Sequence, residues 1–322
     1  MKCIACLLLT VFALGASAQG YPSKPVRILS PWAAGSPGDA VTRGAAQELA
    51  ASLGQPFVVD TRVGADGMIA TEAGVKSPPD GHMLMGCDQQ TVGINPSVHA
   101  SMPYDVKDVA AVIHYGFLAS ALHVRPDVAA NTLPELLDMA RAKPDSISWG
   151  TFGPASASHL WVEWLKNTQN IQFLNVPYKG ATFAWQGLLA GDVQVAYFSV
   201  GPSAALRKAG KIKTLAVMLG KRVPQMPDVP TYKEAGIDIP LVVTWFGLCA
   251  PAATPRGVVQ RLNGEVARRL LANDALRDKF LTSQGLAMDT PSGESPEAFA
   301  QFTLAEQEKY AKLVKLAGVK PQ

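Results

Sequence analysis

Short apolar runs alternate with helix-like segments along the first third of the chain. An apolar run that ends in turn residues predicts a buried strand, and apolar residues three or four positions apart predict an amphipathic helix. The order strand, helix, strand, helix, strand is predicted at residues 25–29, 40–53, 57–59, 68–75 and 83–85. The turn cluster SPPDG at residues 77–81 ends the second helix. This β-α-β-α-β order predicts a mostly parallel sheet covered by helices.

The same alternation returns in the middle of the chain. Its predicted strands and helices lie at residues 121–124, 133–143, 147–149, 158–167, 173–176, 184–189, 193–198 and 215–218. Thr132 is the predicted N-cap of the first of these helices, because Pro134 and Glu135 favour the first turn. Two blocks of this kind predict an α/β protein with two lobes, and ligand pockets commonly lie between domains. Residues 258–271 and 296–316 are predicted helices that follow, with Arg268 and Arg269 on a solvated face.

The first eighteen residues have the pattern of a secretory signal peptide. Lys2 precedes an apolar stretch at residues 4–14, and Ala16-Ser17-Ala18 supplies the small residues of a cleavage site. The apolar stretch is too short to span a bilayer. We therefore predict export to the periplasm as a soluble protein. The net charge of the 322 residues is only +3 and no long basic run occurs, so nucleic acid is not an expected partner.

Cys87 and Cys249 are the two cysteines that remain after the signal. A domain held together by disulfides would carry more cysteines, so buried free thiols are the favoured interpretation and a single bridge is the alternative. After the first eighteen residues neither a C-x-x-C nor an H-x-x-x-H spacing occurs, and the five histidines are scattered. No metal and no cofactor are predicted.

Four polar bends follow predicted strands. They read PWAAGSPGD, CDQQTVGINP, TFGPASASHLW and VPYKGATFAW, at residues 31–39, 87–96, 151–161 and 176–185. Gly35 and Gly38 let the backbone of the first bend approach a ligand, and a helix N-terminus favours an anion. Asp39 could instead act as the N-cap of that helix. Together the bends predict a small carboxylate held by neutral donors, with Trp32 and Phe152 as candidates to line a cleft.

A catalytic interpretation is weaker. Ser156 or Ser158 beside His159 suggests a serine hydrolase, but the G-x-S-x-G turn that presents such a nucleophile is missing. Adjacent residues rarely form a Ser–His pair, so a structural role for His159 is favoured. Lys179 is interpreted as a surface residue or an anion partner. We do not expect an enzyme, and a periplasmic serine hydrolase stays as the alternative.

An ordered set of motifs resembles a known family. The motifs are YPSKPVRILSPW, SLGQPFVVDTRVGADG, PPDGHMLM, INPSV, the hydroxyl-rich loop before SHL, VPYKGA, AGKIKTLAV, RVPQMPDVPTYKEAG and WFGLCAPAATPRGVVQRLN. Across nearly the whole mature chain they resemble the extracytoplasmic solute-binding receptors of tripartite tricarboxylate transporters, also called Bug receptors. The resemblance implies a type II periplasmic binding fold, with one lobe at residues 21–120 plus 246–322 and the other at residues 121–245. Residues 118–125 and 244–250 would connect the lobes.

The resemblance also implies a function. Such receptors close on small carboxylated solutes and deliver them to membrane permease subunits. We expect this chain to be a monomer. A sensory receptor that signals to a membrane partner is a further alternative. The ligand-binding residues carried over onto this chain are Trp32, Ala33, Ala34, Gly35, Ser36, Asp39, Gln90, Thr91, Thr151, Ser156, Tyr178, Gly180, Ala181, Thr182 and Ser199.

Two departures from the family pattern bear on the ligand. The family's first loop often reads P-F-P-P-G-G, whereas residues 31–36 read PWAAGS. The family also commonly places an aspartate after an aromatic residue near the end of a later strand, where this chain has Tyr197-Phe198-Ser199. The loss of a carboxylate removes a partner for an ammonium group. We therefore predict a solute without an amino group and with an apolar or aromatic body.

Overall fold

Two separate β-sheets organise residues 20–153, 156–237 and 243–321, the part of the chain described in the computed structural model. The strands are β1 (Val26–Ser30), β2 (Phe57–Thr61), β3 (Met83–Asp88), β4 (Val109–Leu118), β5 (Ser120–Val124), β6 (Ser148–Thr151), β7 (Leu174–Pro177), β8 (Val195–Ser199), β9 (Lys213–Val217), β10 (Trp245–Pro251) and β11 (Leu286–Ala287). The helices are α1 (Pro37–Leu53), α2 (Met68–Val75), α3 (Asn95–Val98), α4 (Leu133–Ala142), α5 (Ala157–Gln169), α6 (Ala181–Ala190), α7 (Val200–Lys208), α8 (Arg256–Val266), α9 (Asp274–Phe280) and α10 (Pro296–Leu316). The predicted signal peptide lies outside the described residues.

The larger sheet has the strand order β11-β4-β10-β3-β1-β2, and the smaller has β7-β6-β8-β5-β9. Parallel pairing joins β1 to β2 and β3, and joins β6 to β7 and β8. The remaining pairs are antiparallel. The two-lobed α/β fold is confirmed, but the prediction of mostly parallel sheets is wrong for about half of the pairing. It failed because β4 and β10 were not recognised as strands of the first sheet and because β5, a predicted strand, pairs antiparallel with both β8 and β9.

The chain leaves the larger sheet at Ala119, between β4 and β5, and returns to it between β9 and β10, where Val243 and Thr244 directly precede β10. Most residues of the predicted connecting segments 118–125 and 244–250 lie in β5 and β10. Both strands are buried along their whole length. Ala119 is the single residue between β4 and β5, so the first connection continues directly into ladder hydrogen bonds.

Local sequence explains where several helices begin. The Thr132 hydroxyl accepts a hydrogen bond from the Glu135 N–H at 3.3 Å, which confirms the predicted N-cap of α4. Ser295 caps α10 in the same way through the Ala298 N–H. A serine or threonine oxygen at this position satisfies one of the free N–H groups of the first turn. Helices α2 and α10 have the predicted bounds. Arg268 and Arg269 are exposed as predicted, and both pair with Glu265.

Helix α10 packs against both sheets. Phe299, near its start, belongs to the core around Leu29 of the larger sheet. Leu313, near its end, belongs to the core around Trp149 of the smaller sheet. The Ala317 carbonyl accepts a hydrogen bond from the Asn167 amide of α5 at 2.6 Å. One helix therefore joins the hydrophobic cores of the two lobes.

Cys87 and Cys249 form a disulfide, with Cα atoms 5.9 Å apart, so the expectation of free thiols is wrong. The two residues lie on neighbouring antiparallel strands, β3 and β10, in a diagonal register. They are 162 positions apart in sequence, and only the strand order brings them together. The disulfide fixes β10 to β3 within the larger sheet. Strand β10 begins directly after Thr244.

Two histidines are buried without a charged partner. His114 is surrounded by the rings of Phe117, Trp245 and Phe299, with its Nδ1 3.0 Å from the Ser292 hydroxyl. His123 lies in β5, with its Nδ1 3.0 Å from the Thr214 hydroxyl. Burial lowers the pKa of each to about 3, because the imidazolium would lose its hydration. Both side chains are neutral near pH 7.

Among the described residues, none of the helices combines the length and the apolar character that crossing a bilayer requires.

Replacing both cysteines by alanine should lower the free energy of unfolding by about 2–5 kcal/mol, because the bridge restricts the unfolded chain across a long loop. Urea denaturation of the double variant and of the wild type checks this. Wild-type protein unfolded in the presence of a reductant is the matched control and should behave like the variant. An unchanged denaturation midpoint would contradict the stabilising role.

Stability should fall as the pH drops below about 6.5, because unfolding lets the two buried histidines take up protons that the folded state refuses down to about pH 3. Each contributes about 1.4 kcal/mol per pH unit in that window, and nothing above it. Denaturation curves between pH 5 and 6.5 should show a slope that is smaller by about one proton in His114→Gln and in His123→Gln. The same slope in all three proteins would refute the assignment.

Candidate functional site

The predicted site residues fall into two groups, one on each sheet, at the carboxyl ends of parallel strands. Residues 31–39 follow β1 and residues 89–94 follow β3 in the larger sheet. Phe152, Gly153 and Ser156 follow β6, residues 178–180 follow β7, and Ser199 ends β8 in the smaller sheet. We call these the first group and the second group. Crevices beyond the carboxyl ends of parallel strands are where α/β proteins bind ligands.

Trp32 is the anchor of the first group. Its indole Nε1 donates to Asp88 Oδ2 at 2.7 Å, and its ring packs edge-on against Phe246 at 5.1 Å between centroids. Asp88 is buried, and burial raises its pKa, while the hydrogen bonds from Trp32 and Thr91 oppose that rise. The tryptophan therefore holds the first bend against the end of β3.

The carboxylate of Asp39 supports the first bend from inside. Ser36, not Asp39, is the N-cap of α1, so the N-cap alternative for Asp39 is wrong. Asp39 Oδ2 instead accepts from the Gly35 N–H at 2.9 Å and from Arg43 Nε at 2.8 Å. The hydrogen bond that Arg43 donates to this carboxylate raises the pKa of Arg43. Asp39 Oδ1 is buried and has no hydrogen-bond partner in the described part of the chain.

The tip of the first bend is open to solvent. Ala33, Ala34 and Gly35 are exposed, and Gly35 has a φ of 79°, which favours glycine. Small side chains leave the backbone of this tip accessible. The N-terminus of α1 begins directly after it, where backbone N–H groups and the helix dipole favour an anion.

Gln90 and Thr91 form hydrogen bonds that hold the turn after β3 in place. Thr91 donates its N–H to Asp88 Oδ1 at 2.9 Å, and its carbonyl accepts from the Tyr104 hydroxyl at 2.6 Å. Gln90 Nε2 donates to Asn95 Oδ1 at 2.7 Å. Thr91 is buried and Gln90 half-buried. These contacts shape the turn that carries Asp88.

In the second group, hydroxyls hold the turn after β6. Thr151 is buried and donates to Asn175 Oδ1 of β7 at 2.7 Å. Ser156 caps α5, where its Oγ donates to the Gly153 carbonyl at 2.8 Å and accepts from the His159 N–H. Ser158 Oγ accepts from the Phe152 N–H at 3.0 Å. Ser156 is half-buried, so it can still meet a ligand.

The bend after β7 presents backbone to solvent. The Tyr178 N–H donates to the Thr151 carbonyl at 2.8 Å, which ties this bend to the turn after β6. Gly180 is the N-cap of α6 and has a φ of 121°. Ala181 is half-buried and Thr182 exposed in the first turn. Phe183 is 55% exposed, which is unusual for an aromatic side chain in a folded lobe.

Both groups border the passages between the sheets. Gln89, next to Asp88, donates from Nε2 to the Thr244 hydroxyl at 3.4 Å, and its Oε1 accepts from the Trp245 N–H at 3.2 Å. In the smaller sheet Ser199 lies opposite Ser120, the residue that follows the passage at Ala119. The hydroxyl of Ser199 is buried and has no partner in the described segments. The two groups are thus built around the connections of the lobes.

Phe152, His159 and Lys179 complete the candidates. Phe152 is half-buried and packs on Tyr197 at 5.8 Å between ring centroids. The His159 ring lies 3.8 Å from the carboxylate of Glu163, and burial lowers its pKa. Lys179 is exposed. Within the described residues no group of three His, Cys, Asp or Glu side chains is placed to hold a metal ion.

Sequence reasoning missed a segment that adjoins the first group. Gly64, Ala65, Asp66 and Gly67 all have a positive φ, from 45° to 127°. A Cβ on Gly67 would lie 2.5 Å from the Thr91 side chain and 3.2 Å from Pro31, so this segment touches both bends of the first group. Non-glycine residues in this conformation are strained and cluster at functional sites. The G-A-D-G pattern at residues 64–67 is the sequence signal that could have identified this segment. Asp88 and Phe246 were also missed, because their role depends on tertiary contact with Trp32.

The chain is similar to known solute receptors. A family described as tripartite tricarboxylate transporter family receptor matches residues 41–318. Protein BugT of Bordetella pertussis is 29% identical over 94% of this chain and 92% of its own length.

Two solved structures share the architecture. R. palustris Rpa4515 with adipate is 31% identical, has a TM-score of 0.84, and is matched over 94% of this chain and 100% of that chain. MatC from Rhodopseudomonas palustris with bound malate is 28% identical, has a TM-score of 0.79, and is matched over 91% of this chain and 100% of that chain.

The Trp32→Phe substitution should destabilise the protein by about 1.5–3 kcal/mol, because it removes a hydrogen bond to a buried carboxylate. Urea denaturation measures this change. A double-mutant cycle with Asp88→Asn isolates the contact and should give a coupling of at least about 0.5 kcal/mol. Strictly additive effects of the two substitutions would contradict the contact.

Proposed function

The chain belongs to the tripartite tricarboxylate transporter family receptors, a family of periplasmic solute-binding proteins, and from that premise we propose that it captures a small organic carboxylate between its two lobes. The residues of the first and second groups are proposed to contact that ligand.

Three helices begin at the candidate bends, and this arrangement supports the capture of a carboxylate most directly. Helices α1, α5 and α6 begin directly after the bends that follow the parallel strands β1, β6 and β7. Each start leaves backbone N–H groups without helical partners, and the helix dipole adds about half a positive charge there. A carboxylate is stabilised by such donors without a buried cation. Relatives solved with adipate and with malate hold ligands of this class.

The body of the solute is proposed to be apolar or aromatic and to lack an amino group. Phe198 stacks on Trp185, with ring centroids 4.6 Å apart and planes within 5°, near the end of β8. No carboxylate follows Tyr197 there to pair with an ammonium group. The half-buried ring of Trp32 and the exposed ring of Phe183 are available for apolar contact.

Closure of the lobes is proposed to trap the solute. The proposed division assigns residues 21–120 and 246–322 to one lobe and residues 121–245 to the other. A ligand that touches both groups binds the shut form better than the open form, so it shifts the equilibrium towards closure. Membrane permease subunits of a tripartite transporter are the proposed recipients.

The disulfide supports a periplasmic location, because such bonds persist in oxidising compartments. The signal-like pattern of the first eighteen residues supports the same location.

A thermal-shift screen tests the ligand class, since a solute that binds only the folded protein raises the Tm. Adipate, malate, benzoate and aspartate should be compared at equal concentration. We expect stabilisation by a carboxylate without an amino group, and recovery of that solute unchanged. Preference for aspartate would contradict the proposed solute body, and hydrolysis of ester substrates would contradict the receptor function.

For the solute that binds, Thr182→Glu should weaken affinity by at least about tenfold, because a second negative charge would face the carboxylate at the start of α6. Gln186→Glu is the matched control, since it adds the same charge at another exposed position of α6. Isothermal titration calorimetry measures both. If the two variants bound the solute with equal affinity, the start of α6 would not be part of the binding site.

A further inference from the structure

The indole ring of Trp32 lies in a socket formed by α1, β3 and β10. Gly38 comes from α1, Gly86 and Asp88 from β3, and Phe246 from β10. The indole Nε1 donates to Asp88 Oδ2 at 2.7 Å, and the Phe246 ring lies 5.1 Å away between centroids. We call these four residues the Trp32 socket. Trp32 is half-buried, so the side of its ring that faces away from the socket is accessible.

Two glycines give the socket its depth. A Cβ on Gly86 would lie 2.5 Å from Cζ3 and 2.6 Å from Cη2 of Trp32, and a Cβ on Gly38 would lie 2.6 Å from Cδ2 of the same ring. Neither glycine has a positive φ, so the backbone itself does not require glycine at these positions. Glycine inside a helix or strand is unfavourable and often marks the close approach of another group. These two positions therefore provide the space that the indole occupies.

The space at Gly86 fits tryptophan in particular. Cζ3 and Cη2 form the outer edge of the indole, and the single ring of a phenylalanine does not extend that far. At Gly38 the nearest atom of Trp32 is Cδ2, which is bonded to Cγ and has an equivalent in phenylalanine. A Cβ at residue 86 would thus clash with tryptophan and not with phenylalanine, whereas a Cβ at residue 38 would clash with both.

We propose that Gly86 determines which solutes the site accepts, because it admits the indole of Trp32 into the socket. This role rests on the proposed function, in which Trp32 contacts the body of a bound carboxylate. The closer the ring lies to β3, the more room is left for that body on the accessible side of the ring. Asp88 holds the ring in this position by accepting from Nε1, the one polar atom of the indole. Gly86 acts through Trp32 and is a positioning residue.

An alanine at residue 86 would move the ring of Trp32 rather than the strand. Strand β3 is hydrogen-bonded to β1 on one side and to β10 on the other. Overpacking in a core forces side chains out of their positions. The displaced ring would enter the space for the body of the solute, while the carboxylate group would keep its donors at the helix starts. Specificity is a difference between affinities, so this role predicts a changed affinity ratio and not a uniform loss.

Gly86→Ala tests the role with three probes. Adipate and benzoate have large bodies, acetate has a small one, and calorimetric titration gives each dissociation constant, with acetate measured by displacement. We expect the affinity for a large-bodied probe, relative to that for acetate, to fall at least about tenfold. Gly44→Ala is the matched control, because its Cβ would lie 2.6 Å from the Phe280 ring, outside the socket. The control should keep the wild-type ratio whatever its stability.

A second substitution should rescue the first. Trp32→Phe removes the outer ring edge that the new Cβ would meet, and Pro31 Cδ, at 3.0 Å, then needs only a small shift. We expect the Trp32→Phe/Gly86→Ala double variant to regain most of the lost affinity ratio and to resist urea better than Gly86→Ala. Trp32→Phe should give no such recovery in Gly38→Ala, since the atom nearest to that Cβ has an equivalent in phenylalanine. Such a coupling between two positions indicates a direct contact.

The outcomes separate this role from the proposed function. If the wild type binds a large-bodied probe and Gly86→Ala keeps the wild-type ratio, the role of Gly86 is overturned and the proposed function stands. An equal change of the ratio in Gly44→Ala also overturns the role. If Gly86→Ala does not fold, a folded double variant supports the fit between Gly86 and Trp32, and an unfolded double variant overturns it. A wild-type protein that binds neither large-bodied probe overturns the proposed solute class, and this role with it.

Discussion

The two passages of the chain between its sheets constrain every other part of the structure. The second passage is held from three sides: Gln89 bonds Thr244, the Tyr310 hydroxyl donates to the Val243 carbonyl at 3.4 Å, and Trp245 Nε1 donates to Glu306 at 3.2 Å. Glu306 and Tyr310 belong to α10, the helix that also joins the two cores. Because the single residue Ala119 separates β4 from β5, we expect any movement of the lobes at this passage to be taken up by rotations at a few residues.

Polar side chains around the cleft mostly support backbone. Asp39 holds the tip of the first bend, Asp88 receives Trp32, and Thr151 bonds Asn175. These contacts leave amide groups at the starts of helices as the surface offered to a solute. A preorganised backbone loses little entropy on binding, since its atoms are already ordered. Under the proposed function, we expect specificity for a particular solute to depend on exposed side chains such as Phe183 and Thr182.

Much of this architecture could be predicted because periodicity is local. The bounds of α2 and α10, the cap at Thr132 and the four bends each depend on residues within a few positions of one another. The antiparallel strands β4 and β10, the disulfide and the Trp32–Asp88 hydrogen bond do not. Asp88 lies 56 positions from Trp32, and no pattern along the chain connects a tryptophan to a buried carboxylate. The order of the strands in the sheet brings such distant residues together. The spacing of residues along the chain does not determine that order.

The bridge between Cys87 and Cys249 closes a ring that contains all of β5 to β9, and thus the whole smaller sheet. A protease that cuts one exposed loop of that lobe would separate the chain into two polypeptides that stay covalently attached. The nicked molecule would migrate as a single band without reductant and as two bands with it. Where proteases are abundant, the disulfide therefore keeps the two fragments joined. The larger sheet then keeps all of its strands.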